Sequence, residues 1–467
     1  MINLEKSKEK KRMIVADNIT ELVGRTPMVR INKLLKPGAA NVYAKLEFMN
    51  PGGSIKDRVG LSLIEAAERA GRIKPGYTII EPTSGNTGVG LALASAVKGY
   101  KVIFTMPDKM SKEKIDLLKA FGARVIVTPT AVTPDNPANN VRVAERMAKE
   151  MPDAYMPNQY FNQANPAAHY RTTGPEIWEQ TGGKIDVLIA GMGTGGTITG
   201  IGRYLKEQNP GIRIIGVDPE GSMFHHEFYG TKGEVHTYRT EGIGEDFMPS
   251  ALDMKVIDEI IVVSDKDAFL TARRLAREEG VFAGGSSGAA IFAAMQVAER
   301  LGKNKTIVVV LPDTGRNYIN RIYSDEWMTE NGYLESKEER IPVRDILAAK
   351  PKAAQKIISV LPEDDLDKAL NLMNANGISQ LPVVMDGAQV GSIREITIMK
   401  KLRNREASGA RKIKDVMDEP LPVVNINDRI LDPFTLLKDK NAVVVLDNSR
   451  VTGIITTADV INYLTEK

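Results

Sequence analysis

The sequence of 467 residues contains no cysteine and only four histidines. The absence of cysteine excludes disulfides, thiolate nucleophiles, thiolate-ligated haem and cysteine-based zinc or iron–sulfur sites. The histidines, which are His169, His225, His226 and His236, show no spacing typical of metal ligands, such as His-x-x-x-His. We therefore expect no metal centre and no haem.

Long apolar runs and a strong net charge are also missing. No segment approaches the ~20 apolar residues that span a bilayer, and we expect no signal peptide. The net charge of +3 favours neither nucleic acid nor membrane as a partner. With 42% hydrophobic and 26% charged residues, the chain is typical of a globular protein. Since we expect neither a signal peptide nor a membrane-spanning segment, the expected location is cytoplasmic.

Short β-rich runs alternate with helical patterns from about Val42 to Leu311. The predicted strands are Val42–Leu46, Thr78–Glu81, Lys101–Met106, Arg124–Val127, Val187–Ala190, Arg213–Asp218, Glu259–Val263 and Thr306–Leu311. The helices predicted between them include Lys56–Ala70, Gly88–Val97, Lys112–Phe121, Val141–Glu150, Thr197–Gln208 and Asp265–Glu279. Such alternation is typical of parallel sheets covered by helices, so we expect an α/β fold with two sheet lobes and a cleft between them.

A polar, charge-rich segment at Glu330–Arg340 is typical of a linker and precedes an internal repeat. A segment similar to Val343-Arg-Asp-Ile-Leu occurs again as Ile413-Lys-Asp-Val-Met. Two copies of a repeat indicate a paired module rather than a solenoid. The predicted domains are a catalytic domain at 1–335 with a mobile smaller lobe at about 45–155, a linker at 336–340, and repeats at 341–405 and 411–467.

Four glycine-containing polar segments could bind a ligand. They are Asn50-Pro-Gly-Gly-Ser-Ile-Lys-Asp-Arg58, Glu81-Pro-Thr-Ser-Gly-Asn-Thr-Gly-Val-Gly-Leu-Ala92, Gly191-Met-Gly-Thr-Gly-Gly-Thr197 and Gly284-Gly-Ser-Ser-Gly288. The first places Lys56 at the start of a helix, where a lysine of lowered pKa can form an imine with an aldehyde cofactor. Taken alone, a solvated surface lysine is the commoner explanation of such a residue.

The second segment follows a predicted strand and begins a helix. Its hydroxyl and amide groups lie beside helix-initiating N–H groups, which suits a carboxylate or a ring oxygen; they belong to Thr83, Ser84, Asn86 and Thr87. The alternative is a capped helix start with Thr83 or Ser84 as the N-cap.

The third segment satisfies the dinucleotide pattern G-x-G-x-x-G through Gly191, Gly193 and Gly196, and Asp218 ends the next strand. A nicotinamide oxidoreductase is therefore an alternative. The flanking Thr194 and Thr197 favour a compact phosphate cup instead. In the fourth segment, the Ser286 hydroxyl is a neutral partner for a pyridine nitrogen, or else another N-cap.

The order of these segments and their amino-acid sequences resemble those of the cystathionine β-synthase and O-acetylserine sulfhydrylase group of pyridoxal-phosphate (PLP) enzymes. This group has fold type II. The resemblance runs from about Ile19 to Gly332 and implies that Lys56 forms the Schiff base with PLP. It implies that Asn86 bonds the cofactor's 3′-oxygen and that Ser286 meets the pyridine nitrogen, whereas a nicotinamide site leaves all three segments unexplained. It further implies that Gly193, Thr194, Gly195, Gly196 and Thr197 hold the phosphate and that Thr83, Ser84, Thr87 and Gln159 hold the substrate carboxylate.

Several segments resemble the cystathionine β-synthase branch of this group, among them Glu241-Gly-Ile-Gly-Glu-Asp-Phe247. Glu245 departs from the pattern, because animal synthases usually carry tyrosine there, and its role is left open. We expect no counterpart of the haem-binding N-terminal extension of the animal enzymes, so the expected cofactor is PLP without haem.

The C-terminal repeats resemble a tandem CBS-domain (Bateman) module. Its adenosyl-binding signature, Gly-x-x-Thr-x-x-Asp, is present in the second copy, so Thr456 and Asp459 are expected to contact a ribose. The first copy has Arg394 and Thr397 at these positions, and we expect no equivalent site there. A purely structural dimerisation module is the alternative.

The resemblance implies a lyase of transsulfuration and cysteine biosynthesis that joins serine and homocysteine into cystathionine, with cysteine and hydrogen sulfide chemistry as an extension. The first alternative is an O-acetylserine sulfhydrylase (cysteine synthase), and the remote one is a non-catalytic adenosine-nucleotide sensor. The expected partners are amino-acid and thiol substrates and an adenosyl ligand at the CBS pair, with no nucleic acid and no membrane. The expected assembly is a homodimer or a higher homo-oligomer.

Overall fold

A computed structural model of the chain describes residues 15–83, 85–108, 110–130, 132–133, 135–335, 341–351, 357–403, 412–430, 437 and 441–465. The chain divides into two compact units, one ending at Leu334 and one beginning at Glu335. The predicted linker at 336–340 lies outside the described residues. Among the described residues, no helix is both long and apolar enough to cross a membrane.

The first unit contains two sheets. Its strands are β1 (Met28–Ile31), β2 (Asn41–Leu46), β3 (Thr78–Pro82), β4 (Lys101–Pro107), β5 (Arg124–Thr128), β6 (Ala154–Tyr155), β7 (Val187–Gly191), β8 (Arg213–Pro219), β9 (Glu259–Val263) and β10 (Thr306–Leu311). The larger sheet has the order β1-β2-β10-β7-β8-β9, and the smaller has the order β5-β4-β3-β6. All pairs are parallel except β1 with β2, which confirms the predicted two-lobed α/β fold with parallel or mixed sheets.

Helices surround both sheets. They are α1 (Lys56–Arg69), α2 (Asn86–Lys98), α3 (Lys112–Ala120), α4 (Asn140–Glu150), α5 (Ala164–Arg171), α6 (Thr173–Gln180), α7 (Gly196–Gln208), α8 (Phe224–Tyr229), α9 (Asp265–Glu279), α10 (Gly285–Leu301) and α11 (Asp325–Glu330). The central strand β10 is apolar on both faces, with Ile307 to Leu311 buried, as expected of a parallel strand covered on both sides.

Two glycines let α1 and α2 approach each other closely. A Cβ atom added at Gly60 would lie 2.5 Å from the carbonyl oxygen of Gly90, so a larger residue would force the helix backbones apart. Because Lys56 and Asn86 are the first residues of these two helices, the contact holds two predicted site residues close together.

The second unit contains two similar hairpins. Its strands are β11 (Ile341–Pro342), β12 (Gln380–Met385), β13 (Ala388–Arg394), β14 (Val423–Asn425), β15 (Arg429–Ile430), β16 (Ala442–Asp447) and β17 (Arg450–Thr456), and its helices are α12 (Val343–Ala349), α13 (Leu366–Asn376), α14 (Glu395–Arg403) and α15 (Thr457–Thr465). The antiparallel pairs β12–β13 and β16–β17 each contain a register shift, and each is followed by a helix, as the internal repeat predicts.

Candidate active site

One pocket of the first unit brings together residues from all four predicted ligand-binding segments. Its lining includes Lys56, Asn86, Gly193, Thr194, Gly195, Thr197 and Ser286, together with Gly242, Ile243 and Asp313. Gly191 and Val310 also line it, so the pocket lies at the carboxyl ends of β7 and β10, where parallel sheets bind ligands. Gly196, the remaining predicted phosphate residue, is the first residue of α7.

Lys56 reaches the glycine-rich side of this pocket. Its Nζ atom donates a hydrogen bond to the Thr194 hydroxyl at 3.5 Å. Burial lowers the pKa of Lys56 to about 8, although the nearby Glu245 carboxylate opposes this effect. The lowered pKa increases the fraction of neutral amine near neutral pH, and a nucleophile or a base requires that form.

The start of α7 forms a glycine-lined cup that could hold an anion. Gly195 has a φ of +80°, and no side chain caps this helix start, so the N–H groups of its first turn are available to a ligand. A Cβ atom at Gly193 would lie 2.5 Å from the carbonyl oxygen of Gly242. The cup therefore requires glycine at this position.

Asn86 is oriented by a residue that the sequence analysis missed. The Asn86 Nδ2 atom donates to Oδ2 of Asp313 at 2.8 Å, and the Tyr318 hydroxyl donates to the same oxygen at 2.7 Å. The second oxygen of Asp313 is buried without a hydrogen-bond partner, and burial raises the pKa of this carboxyl to about 6. Asp313 lies two residues after the last residue of β10, and that position at the sheet edge is the signal that could have identified it.

Ser286 is the second residue of α10 and is buried. No side chain caps the start of this helix, so the alternative interpretation of Ser286 as an N-cap is not supported. Just before this helix, Ala283 makes an isolated antiparallel bridge to Thr314.

Three of the four predicted carboxylate-binding residues, Thr83, Thr87 and Gln159, are not part of the lining of this pocket. Thr83, Thr87 and Gln159 are buried, and the Thr87 hydroxyl donates to Oε1 of Gln159 at 2.6 Å. The Thr83 hydroxyl accepts from the N–H groups of Gly85 and Gly88, both at 3.2 Å, so it also stabilises the start of α2. Ser84 lies outside the described residues.

Two further residues missed by the sequence analysis support Gln159. Buried Glu81 accepts hydrogen bonds from the backbone N–H groups of Asn158 and Gln159 at 2.8 and 2.9 Å. Asn165 donates to the Gln159 carbonyl at 2.9 Å and to the Thr194 hydroxyl at 3.0 Å. These contacts connect the predicted carboxylate segment to the glycine cup.

A buried ion-pair network supports the helix that carries Lys56. The guanidinium of Arg58 donates to Glu47 at 2.8 Å and to Glu176 at 2.6 Å, and its side chain is only 2% exposed. Lys45 also donates to Glu176, at 2.7 Å. The network fixes the first turn of α1 against β2 and α6.

These groups fit PLP. The uncapped N–H groups of α7 and the Thr194 and Thr197 hydroxyls suit a phosphate, while the amine of Lys56 suits an aldehyde. Asn86 and Ser286 add polar groups in the lining of the same pocket, where an aromatic ring would carry an oxygen and a nitrogen.

The comparisons with known proteins agree with this geometry. The family model described as "Pyridoxal-phosphate dependent enzyme" matches residues 19–313, and the "CBS domain" model matches residues 343–404 and 413–466. Cystathionine beta-synthase of Oryctolagus cuniculus is 40% identical over 97% of this chain and 86% of its own length. The chain belongs to the cystathionine β-synthase and cysteine synthase family of PLP-dependent enzymes.

Other members of the family match the catalytic unit. Cysteine synthase of Staphylococcus aureus (strain N315) is 47% identical and covers 65% of this chain and 96% of its own length. The crystal structure of O-acetylserine dependent cystathionine beta-synthase from Helicobacter pylori matches with a TM-score of 0.62 at 40% identity, over 67% of this chain and 100% of that chain. The expected enzyme class, cofactor, fold type II and C-terminal CBS pair are therefore confirmed.

In the second CBS repeat, the signature residues form a capping box at the start of α15. The N–H and the hydroxyl of Thr456 both donate to Oδ2 of Asp459 at 2.8 Å. The same oxygen accepts from buried Lys350 at 2.8 Å. Sequence reasoning missed Lys350, which lies more than 100 residues away in the chain. The Asp459 carboxylate is thus held in a fixed position with a cation beside it.

In the first CBS repeat, the side chains at the two replaced signature positions form hydrogen bonds with another residue of the chain. Arg394 and Thr397 both donate to Oδ2 of Asp418, at 3.0 and 2.8 Å. Both replacements are thus bound to a carboxylate of the chain itself.

Proposed function

We propose that this enzyme replaces the β-hydroxyl group of serine with the thiol sulfur of homocysteine. The product is cystathionine, and the reaction is a transsulfuration step. The observation that supports it most is the single pocket holding Lys56, Asn86, Ser286 and the glycine cup in a chain that matches a cystathionine β-synthase over nearly its full length. The proposal also includes β-replacement reactions in which cysteine or hydrogen sulfide is a substrate or a product.

In this proposal, different residues of the chain transfer the proton and bind the phosphate. PLP supplies an electron sink that makes the Cα–H bond of a bound amino acid acidic and its β-substituent labile. The Lys56 amine, with its lowered pKa, takes the Cα proton, and such positioned bases contribute about 10²–10⁴-fold. The α7 cup would hold the phosphate through Gly193, Gly195 and Gly196 with the hydroxyls of Thr194 and Thr197.

Neighbouring residues are proposed to bind the cofactor ring and the substrate carboxylate and to set the protonation state of the ring nitrogen. Asn86, oriented by Asp313, would bind the 3′-oxygen through its amide. Ser286 is uncharged, so beside the pyridine nitrogen it would accept or donate a hydrogen bond without favouring protonation of that nitrogen, which would favour β-elimination over transamination. Thr83, Ser84, Thr87 and Gln159 are proposed to hold the substrate carboxylate.

The test is a crossed assay of the purified enzyme. Serine or O-acetylserine is combined with homocysteine or sulfide, and the amino-acid products are identified by mass spectrometry. The proposal predicts cystathionine from serine and homocysteine as the fastest reaction. A product found only with O-acetylserine and sulfide would replace it with the cysteine synthase reaction.

The cysteine synthase reaction is the second candidate, because the S. aureus cysteine synthase is 47% identical over 96% of its own length. It differs in the leaving group and in the thiol. A non-catalytic adenosine-nucleotide sensor is disfavoured, because Lys56 and its expected neighbours are all present in one pocket.

For the CBS pair we propose an adenosyl ligand at Thr456 and Asp459, with S-adenosylmethionine as the first candidate. A ligand regulates the enzyme only if it binds one conformational state better than another. Calorimetry of the full-length protein and of Asp459→Asn tests the site, since asparagine keeps a capping side chain while removing the charge. Binding that is undiminished in Asp459→Asn would place the ligand elsewhere.

We further propose that the protein is a cytoplasmic homodimer or higher homo-oligomer. Sedimentation analysis of the purified chain tests the assembly, and a monomer at micromolar concentration would contradict it.

A further inference from the structure

A buried histidine beside the glycine cup has no part in the mechanism above. His169 lies on α5 and is fully buried. Its Nε2 atom lies 3.3 Å from the hydroxyl of Thr197, and its Nδ1 atom lies 3.0 Å from the hydroxyl of Thr173. Because Thr197 lines the pocket, the imidazole ring connects a group of the cup to a buried hydroxyl at the start of α6.

The packing of α5 against α7 fixes the position of this ring. Gly200 of α7 lies so close to α5 that an added Cβ atom would be 2.2 Å from the carbonyl oxygen of Pro166 and 2.7 Å from the Cβ atom of His169. A larger residue at this position would force the two helices apart. The ring is therefore held beside the first turn of α7, where Thr197 is the second residue.

The imidazole of His169 is neutral. Burial lowers its pKa well below the ordinary value, and the positive charges of Arg58 and Lys56 act in the same direction. A neutral imidazole has one N–H donor and one acceptor nitrogen. Two arrangements are therefore available: either Nδ1–H donates to Thr173 and Nε2 accepts from Thr197, or Nε2–H donates to Thr197 and Nδ1 accepts from Thr173.

An anion in the cup distinguishes between these two arrangements. In the first, the Thr197 hydroxyl donates its only proton to the imidazole and turns oxygen lone pairs towards the anion, which is unfavourable. In the second, the hydroxyl accepts from Nε2–H and keeps its proton for the anion. A negatively charged phosphate therefore favours the form of His169 that is protonated on Nε2.

The second hydroxyl of the cup has a similar neighbour. The Thr194 hydroxyl accepts from the Nδ2 atom of Asn165 at 3.0 Å. The orientation of this amide is fixed, because Nδ2 also donates to the carbonyl of Gln159 at 2.9 Å. The Thr194 hydroxyl thus receives an N–H donor from a buried side chain and keeps its own proton for a ligand.

We propose that His169 is a positioning residue of the cup, whose Nε2–H group orients the Thr197 hydroxyl so that this hydroxyl donates to the phosphate of PLP. The inference rests on the proposed assignment of that phosphate to the α7 cup. His169 acts through Thr197 and does not itself bind the cofactor.

The first experiment measures cofactor affinity by equilibrium dialysis of the apoprotein with PLP and with pyridoxal, which has the same ring but no phosphate. His169→Leu removes the N–H donor, and His169→Gln restores one, since the glutamine amide nitrogen can take the place of the imidazole Nε2 atom. His169→Leu should weaken PLP binding about 10-fold, the size of one hydrogen bond, and His169→Gln should recover most of this loss. Pyridoxal should bind equally well to all three proteins.

Thr197→Val is the matched variant on the other side of the hydrogen bond. It should weaken PLP binding at least as much as His169→Leu. The double variant should bind PLP no more weakly than Thr197→Val alone, because His169 acts only through that hydroxyl.

The binding results separate failure of the inference from failure of the proposed site. Equal losses for PLP and pyridoxal in His169→Leu, or losses that add in the double variant, would mean a purely structural role and would overturn the inference. Weaker PLP binding in Thr197→Val with unchanged binding in His169→Leu would overturn it as well. Unchanged PLP affinity in Thr197→Val would remove the phosphate from the cup, and the proposed site would fall together with the inference.

The second experiment determines by NMR which ring nitrogen carries the proton in the unmodified holoprotein. The chain contains only four histidines, so the nitrogen resonances of His169 can be assigned from the spectrum of His169→Gln. We expect a neutral ring that is protonated on Nε2. A proton on Nδ1 would overturn the inference independently of any binding measurement, because Nε2 would then accept the hydroxyl proton that the phosphate requires.

Discussion

Replacement of Arg58 should destabilise the catalytic unit strongly. In Arg58→Met, the carboxylates of Glu47 and Glu176 lose their shared guanidinium, which donates to them at 2.8 and 2.6 Å. Glu176 keeps Lys45 at 2.7 Å, but the fully buried Glu47 loses its cation. Since breaking a buried ion pair from one side costs about 3–5 kcal/mol, we expect the free energy of unfolding to fall by that amount.

The assay is urea unfolding followed by tryptophan fluorescence, because both tryptophans, Trp178 and Trp327, lie in the catalytic unit. The control is Arg69→Met on the same helix, where the ion pair with Glu65 spans 3.7 Å and the arginine side chain is 59% exposed. This surface pair should contribute less than about 1 kcal/mol. Similar losses for both variants would refute the assigned importance of the buried network.

Three further predictions concern the PLP pocket. Reductive attachment of PLP to the apoprotein should accelerate as the pH rises through about 8. Burial lowers the pKa of Lys56 to that value, and only the neutral amine reacts with the aldehyde. A rate that increases only near pH 10.5 would contradict this prediction. Ser286→Asp should favour protonation of the pyridine nitrogen and slow β-elimination, so an unchanged absorption spectrum and rate would remove Ser286 from that nitrogen. Asp313→Asn should weaken PLP binding about 10-fold in equilibrium dialysis, because Asn86 loses a charged acceptor, and Tyr318→Phe should weaken it less; undiminished binding in Asp313→Asn would contradict the orienting role.

The sheet strands were predictable because their signal is local. Strands such as β10, which are apolar on both faces, were predicted with both ends within one residue of those observed. The helices that begin in glycine-rich segments were predicted less accurately, and α2 starts two residues earlier than expected, at Asn86. Glycine and polar residues carry no apolar periodicity, so the pattern cannot mark such a helix start.

The same distinction applies to the site. Lys56, Asn86 and Ser286 stand in short motifs, and the structure brings them into one pocket. Asp313 and Lys350 could not be found in this way, because their partners are 227 and 109 residues away in the chain. The position of Asp313 just after a predicted strand was a signal in the sequence, whereas the contact of Lys350 with Asp459 is a tertiary contact that the sequence pattern does not show.

The most direct test of the central claim is the chemical identification of the lysine that holds PLP. The purified enzyme is reduced with hydride, digested with a protease and searched by mass spectrometry for the peptide that carries the cofactor. The account predicts that the label lies on Lys56 and that Lys56→Ala is folded, unlabelled and inactive. A label on any other lysine, or full activity in Lys56→Ala, would contradict it.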